Sequence, residues 1–307
     1  MAASRPLIEV IDAAPLACGE GPMWDAVSER WLWTNALAEA LYVLDRKTGQ
    51  TSLLTQDLQA GSIVLHRDGP LVLATGTGLR SWHGPADVRD VATMAEGRAM
   101  DHLNDAIADP AGRVFTGQEV YSDDEPFEPG VLFRVDVDGS AWVVEEGLNI
   151  ANGLGFSPDR TTFYLVDSPI RTIYAYDYHA ESGAIGGRRT LVTLRVEDGL
   201  PDGLTVDEDG FIWVARWFGG GISRFDPDGH LERRIELPVM QPSSLMFGGP
   251  DLDELFVTSA AVEWRSPLAP PGHDYTRPRG GPSFRIRPGV RGQPEHQAAI
   301  ALPPRDS

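Results

Sequence analysis

The chain has 307 residues, 42% of them hydrophobic, and its 33 glycines and 24 prolines stay below the roughly 25 to 30% that marks low-complexity sequence. Acidic residues outnumber basic ones 45 to 26, and the net charge of -19 sets up a field that repels phosphate backbones and anionic lipid, so neither nucleic acid nor membrane is expected as a partner. One cysteine, Cys18, excludes an internal disulfide, and one lysine, Lys47 in the turn-like DRKTG, leaves Schiff-base chemistry without a suitable nucleophile. The start MAASRPLIEV lacks a basic stretch followed by an apolar one, and no apolar run approaches the roughly 18 residues of a membrane span, so a cytoplasmic protein is expected.

In chain order, PLIEVIDA at residues 6 to 13 reads as a strand standing ahead of everything that repeats. From Gly21 a phrase begins: an apolar stretch, a turn on Asp or Gly, then an aromatic or β-branched run, GPMWDAVSERWLWT. It returns as SIVLHRDGPLVLAT from Ser62, DAIADPAGRVFTG from Asp105, GLGFSPDRTTFYLVD from Gly153, GLTVDEDGFIWVA from Gly203 and SLMFGGPDLDELFVTSA from Ser244. The starts are 41, 43, 48, 50 and 41 residues apart, the length of one four-stranded propeller blade. ALYVLDRKTG, VLFRVDVDG, IYAYDYHAESG and ISRFDPDG supply outer strands running into Asp and Gly turns. The repeats predict an all-β, six-bladed β-propeller filling residues 1–307 as one domain, with little helix. EWRSPLAPPGHDYTRPRGGP, residues 263 to 282, reads as a loop inside the last blade, and the N-terminal strand is expected to pair with that blade, since an open ring would leave a sheet edge bare.

Inner strands of a propeller converge on its axis, so the residues just before each repeat body should share one central channel. Those residues are Glu20, Asn104 with Asp105, Asn152 and Asp202. Each alone fits a turn before glycine, but two carboxylates and two carboxamides at matched positions in four blades form a cluster whose burial costs several kcal/mol per charge without a cation. All-oxygen ligands favour Ca²⁺, Mg²⁺ or Mn²⁺, whereas Zn²⁺ would want His or Cys; Ca²⁺ is the expected ion, with Mg²⁺, Mn²⁺, Zn²⁺ and Fe²⁺ as alternatives. The carboxylates of DPAG, SPDR, DEDG and DPDG are assigned to outer turns, capping local backbone. His66, His83, His179, His230, His273 and His296 lie outside any motif and are given no catalytic role, and Cys18 is read as structural.

With GEGPMWD, NDAIADPAGRVFTG, ANGLGFSPDRTTFYLVDS, LPDGLTVDEDGFIWVARWFGGGISRFDPDG and FGGPDLDELFVTSA in order between about residues 15 and 260, the chain resembles the SMP-30/gluconolactonase/luciferin-regenerating-enzyme family. The resemblance implies a six-bladed propeller with a divalent metal on its axis, held by Glu20, Asn152 and Asp202 with Asn104 close by, directly or through water. It also implies hydrolysis of a sugar lactone or related ester. Two positions depart from the family's pattern. Where its sugar lactonases commonly carry Arg two residues before the Asn of the N-D motif, this chain has His102, and the family's Glu in the loop after the third-blade hairpin aligns with Ser122. That loop is acidic, with Glu119, Asp123, Asp124, Glu125 and Glu128, any of which could stand in for the Glu, and a solvated acidic lid is the plainer reading. A substrate other than the family's standard aldonolactones is expected.

If Asn104 faces the axis from an extended strand, His102 at i-2 faces it too, beside the metal, as general base, substrate donor or extra ligand, or else as an inert rim residue. The implied chemistry is Lewis-acid activation of the lactone carbonyl, with Asp202 or His102 as base and Asn104, His102, Ser122 and Glu119 on the substrate side. Trp217 and Phe218 either line the pocket mouth or pack between blades. Two other classes stay open: a calcium-dependent phosphotriesterase-like hydrolase, and a metal-stabilised propeller that binds a ligand without turnover. The expected partner is a small lactone, and the chain a monomer or weak homo-oligomer.

Overall fold

The computed structural model describes residues 7–12, 16–122 and 129–304, so Asp123, Asp124, Glu125 and Glu128 lie outside the described residues. Six four-stranded antiparallel sheets form the blades. Their first strands are Gly19–Asp25, Ser62–Leu65, Leu103–Ala108, Ala151–Phe156, Leu200–Val206 and Pro242–Gly248. Neighbours in this series touch one another, and the last touches the first, so these six strands ring a central axis. Helix among the described residues is confined to the single 3-10 turns Ala36–Ala38 and Val196–Asp198. None is long and apolar enough to cross a membrane.

Distance from the axis sets burial. Ala151–Phe156 and Leu200–Val206 are buried along their whole length and read as nearly unbroken apolar and small residues. The outermost Leu231–Glu236 and Ala184–Thr193 are mostly exposed and carry Arg, Glu and Thr. Between each pair of adjacent blades lies one apolar seam. Met23, Leu32 and Ile63 join blades 1 and 2, Phe115, Phe156 and Phe163 join blades 3 and 4, and Trp213, Phe247 and Leu255 join blades 5 and 6. The blade 6 to blade 1 seam is the most aromatic: Trp31 stacks on Phe256 with centroids 5.0 Å apart, and Trp24 tilts against Trp31 at 5.0 Å. Burying such rings supplies both apolar area and ring contacts, so this seam holds the ring at the point where the chain's two ends meet.

Closure is double. Ile8–Asp12 adds the outer strand of blade 6 by pairing with Ser283–Ile286, and Arg285 reaches Glu9 at 2.6 Å. After that strand the chain crosses the face opposite the functional cleft. Gly292 bonds to Leu252 of blade 6 and bridges Asp207 of blade 5, Gln293 reaches Phe156 of blade 4, and Ala298 and Ala299 bond to Leu65 of blade 2 and Gly112 of blade 3. This strap ties five blades together, four through backbone hydrogen bonds and blade 4 through the Gln293 side chain, which a closing β-strand alone would not do.

Candidate functional site

At the other end of the axis the inner strands bring Glu20, Asn104, Asn152 and Asp202 onto the wall of one cleft of about 340 Å³. Local backbone irregularity aims them there. In blades 1, 3, 4 and 5 the pairing of first and second strands slips between Glu20 and Met23, Leu103 and Ala106, Asn152 and Leu154, and Pro201 and Leu204. An extra residue in one strand breaks the two-residue alternation and redirects side chains, as bulges next to binding sites do. All four residues lie within strands, so the glycines that follow three of them do not mark turns. They allow close approach instead: a Cβ on Gly153 would lie 2.6 Å from the Asp202 carbonyl oxygen, and one on Gly203 2.2 Å from Ser244 Oγ.

The carboxamides are ordered by hydrogen bonds. Asn104 Nδ2 donates to Asn152 Oδ1 at 2.5 Å, and Asn152 Nδ2 donates to Ser168 Oγ at 2.8 Å. Ser168 therefore sets which way the Asn152 amide faces, leaving its oxygen on the Asn104 side. Nothing in the sequence marked this serine, which follows directly after the second strand of blade 4, Thr162–Asp167.

The electrostatics are one-sided. Among the described residues, those lining the cleft include Glu20, Glu119, Asp202 and Glu263 and no Lys, Arg or His. Burial, reinforced by Asp202, Asp105 and Glu119, pushes the Glu20 carboxyl well above its ordinary range. Asp202 is likewise pushed well up, by burial and then by Asp105 and Glu119. Asp105, beside Asn104 in the chain, lines a small second cavity with Ser62, Ser244 and Glu295, and burial lifts it to about 7. Glu119 is open to the cleft yet closed in by protein on its other sides, which raises its carboxyl against the opposing influence of His102. Cys18 Sγ sits 3.9 Å from Glu20 Oε1, and burial followed by the repulsion of Glu20 holds the thiol well above its usual value, which keeps it protonated. Buried Asp202, half-buried Glu20 and two carboxamide oxygens, with no counter-charge on the cleft wall among the described residues, form a donor set suited to a divalent cation.

His102 stands just outside the strand that carries Asn104. The strand begins at Leu103, and His102 is an exposed bend residue with φ of +48°, so parity along an extended strand does not apply to it. It is not among the residues lining the cleft. Its carbonyl accepts from the Glu119 N–H at 2.8 Å, which places it next to the cleft wall through the backbone. Ser122 is exposed and also off the cleft wall. Trp217 lines the cleft, whereas Phe218 is buried behind it. The turn assignments of Asp109, Asp159, Asp207 and Asp226 agree with their backbone contacts, which reach Ala111, Thr161, Asp209 and Asp228. Asp226, Asp228 and His230 bring ligand atoms within 4.8 Å of one another, but Asp226 is spent capping this outer turn, so the group is a solvated loop.

Residues 18–261 match the model of the family described as SMP-30/gluconolactonase/LRE-like region. The chain is 37% identical to the pentonolactonase XacC of Haloferax volcanii over 284 residues, 92% of this chain and 95% of that one. It is 32% identical to the regucalcin of Gallus gallus over 303 residues, 95% and 98% of the two chains. Among solved structures it is similar to a luciferin-regenerating enzyme, with a TM-score of 0.87, 26% identity and coverage of 96% and 100%. The calcium-binding regucalcin of Agrobacterium tumefaciens gives 0.77, 26%, and 97% and 98%.

Proposed function

The chain belongs to the SMP-30/gluconolactonase/LRE-like family, and from that premise we propose that it is a divalent-cation-dependent lactonase opening a sugar lactone or related cyclic ester. The observation that carries the reading is the meeting of Glu20, Asn104, Asn152 and Asp202 on the wall of one cleft that lacks a counter-charge. The pentonolactonase name of one relative supports the lactone as substrate, and the calcium-binding regucalcin supports Ca²⁺ as the ion.

Glu20, Asn152 and Asp202 would hold the cation, with Asn104 at its edge. When bound, it would polarise the lactone carbonyl and stabilise the developing oxyanion, so no covalent nucleophile is needed. Besides helping to hold the cation, Asp202 would act as the base that takes a proton from the attacking water. Asn104 keeps one Nδ2 hydrogen and its Oδ1 beyond the bond to Asn152, which it offers to ring or hydroxyl oxygens of the substrate.

The test is a panel of lactones and one aryl phosphotriester assayed before and after chelation. Lactone hydrolysis that disappears with chelator and returns with Ca²⁺ is expected. Phosphotriester turnover exceeding that of every lactone, or activity indifferent to chelator, would contradict the assignment.

A further inference from the structure

One wall of the cleft is aromatic and is contributed by two blades. Trp217 ends the second strand of blade 5, Ile212–Trp217, and Trp264 comes from the Pro- and Gly-rich loop of blade 6. Their rings meet edge-on at 6.4 Å, and Phe218 backs Trp264 in a stack at 5.7 Å. Phe218 is held with φ of +64°, a backbone shape that packing must enforce on a bulky residue.

The loop is built to hold Trp264 in place. Arg279 Nε donates to the Ala261 carbonyl at 2.9 Å, Gln241 Nε2 to the Val262 carbonyl at 2.9 Å, and Arg171, reaching over from blade 4, to the Leu268 carbonyl at 2.6 Å. Leu200, Ala260, Val262 and Leu268 pack around the two indoles, so this surface is a rigid extension of the core. The polar ligand set and Glu119 lie on the same cleft, and among the described residues no cationic side chain lines it. Two of the three arginines on the same loop, Arg265 and Arg279, are engaged by Glu263 at the cleft rim.

We propose that Trp217 and Trp264 form a specificity wall that selects an uncharged cyclic substrate with one apolar face, while the same ring carrying a phosphate or carboxylate is refused. An aromatic face rewards C–H surface, and a cleft whose walls hold carboxylates and no guanidinium has nothing to receive a second anion. The identity of the reaction rests on the lactonase reading, but the wall itself does not, because it acts on binding.

The test uses the Ca²⁺-loaded full chain and two non-hydrolysable δ-lactams, one alkyl-substituted and neutral, the other carrying a carboxylate, with affinities measured by calorimetry. The neutral lactam should bind, Trp264→Ala should weaken it about tenfold, Trp264→Phe should stay within about threefold of the parent, and the charged lactam should bind at least about tenfold more weakly. Thermal melts of the variants check that the ring remains folded. Failure of the neutral lactam to bind, equal affinity in Trp264→Ala, or equal or tighter binding of the charged lactam would overturn the proposal. If the binding pattern holds but no lactone is hydrolysed, the lactonase reading falls and the wall stands. If lactones are hydrolysed but the pattern is flat, the wall falls alone.

Discussion

Two sets of buried carboxylates in this molecule have opposite surroundings. Asp207, in the DEDG turn, is fully buried and accepts from Trp213 Nε1 at 2.9 Å, from Arg224 Nε at 2.8 Å and from the backbone of Asp209 and Phe211. Asp109 is matched in the same way by Arg113 and by the Tyr178 hydroxyl at 2.8 Å, and Glu254 by Arg46 at 2.9 Å and Arg287 at 3.0 Å. Around the axis, no Lys or Arg among the described residues pairs with Glu20, Asp105 or Asp202, and their carboxyls are pushed upward. The residue types are the same, but the blade carboxylates are completed by the chain itself and the axial ones are not. That difference separates a structural brace from a donor set suited to an external cation.

The contrast yields graded expectations. The largest effect belongs to turnover: Asp202→Asn removes a ligand charge and the proposed base, and lactone hydrolysis should fall by at least about 10². The same variant should melt no lower than the parent in chelator, because it discards a buried carboxyl group whose ionisation burial opposes. Next, Arg224→Met strands Asp207 and should cost about 3 to 5 kcal/mol in denaturant unfolding while leaving cation binding intact. Equal unfolding costs for the two variants would erase the distinction between the sets.

A smaller effect is expected in pH dependence. In the folded, chelated chain burial raises the carboxyls of Asp105, Glu20 and Asp202 above the ordinary range of about 4 at which the unfolded chain releases its protons. Their contribution to stability is therefore fully present below that range and is lost as pH rises, through about 7 for Asp105. Ca²⁺ relieves the repulsion, so the gap in melting temperature between Ca²⁺-loaded and chelated protein should widen between about pH 5 and about pH 8. A constant gap would mean that these carboxylates do not face one another. The smallest effect concerns His102. From its exposed bend it should tune substrate choice, so His102→Ala should reorder kcat/KM across lactones with kcat within about threefold. A uniform loss of about 10² to 10⁴ would make it the general base instead.

Much of this was legible in the sequence. Every blade must bury its own apolar strands, which forces a repeat of nearly constant length, and equal places in those repeats brought Glu20, Asn104, Asn152 and Asp202 together before any coordinates were known. What stayed hidden depends on irregular backbone. The slips near the axis and the positive φ of His102 break the parity used to orient side chains, and a pattern of residue types does not encode them. Ser168 sits in an ordinary VDS strand end, and Trp264 belongs to a loop with no period at all, so their roles appear only once other blades are folded against them.

The central claim is that the axial oxygen cluster binds a divalent ion, and its most direct measurement is calorimetric titration of chelator-stripped protein with Ca²⁺. One ion per chain should bind to the parent, and Glu20→Gln and Asp202→Asn should each abolish or severely weaken it, whereas Asp226→Asn, in the outer turn, should not. Absence of binding by the parent, or binding that survives both axial substitutions unchanged, would contradict it.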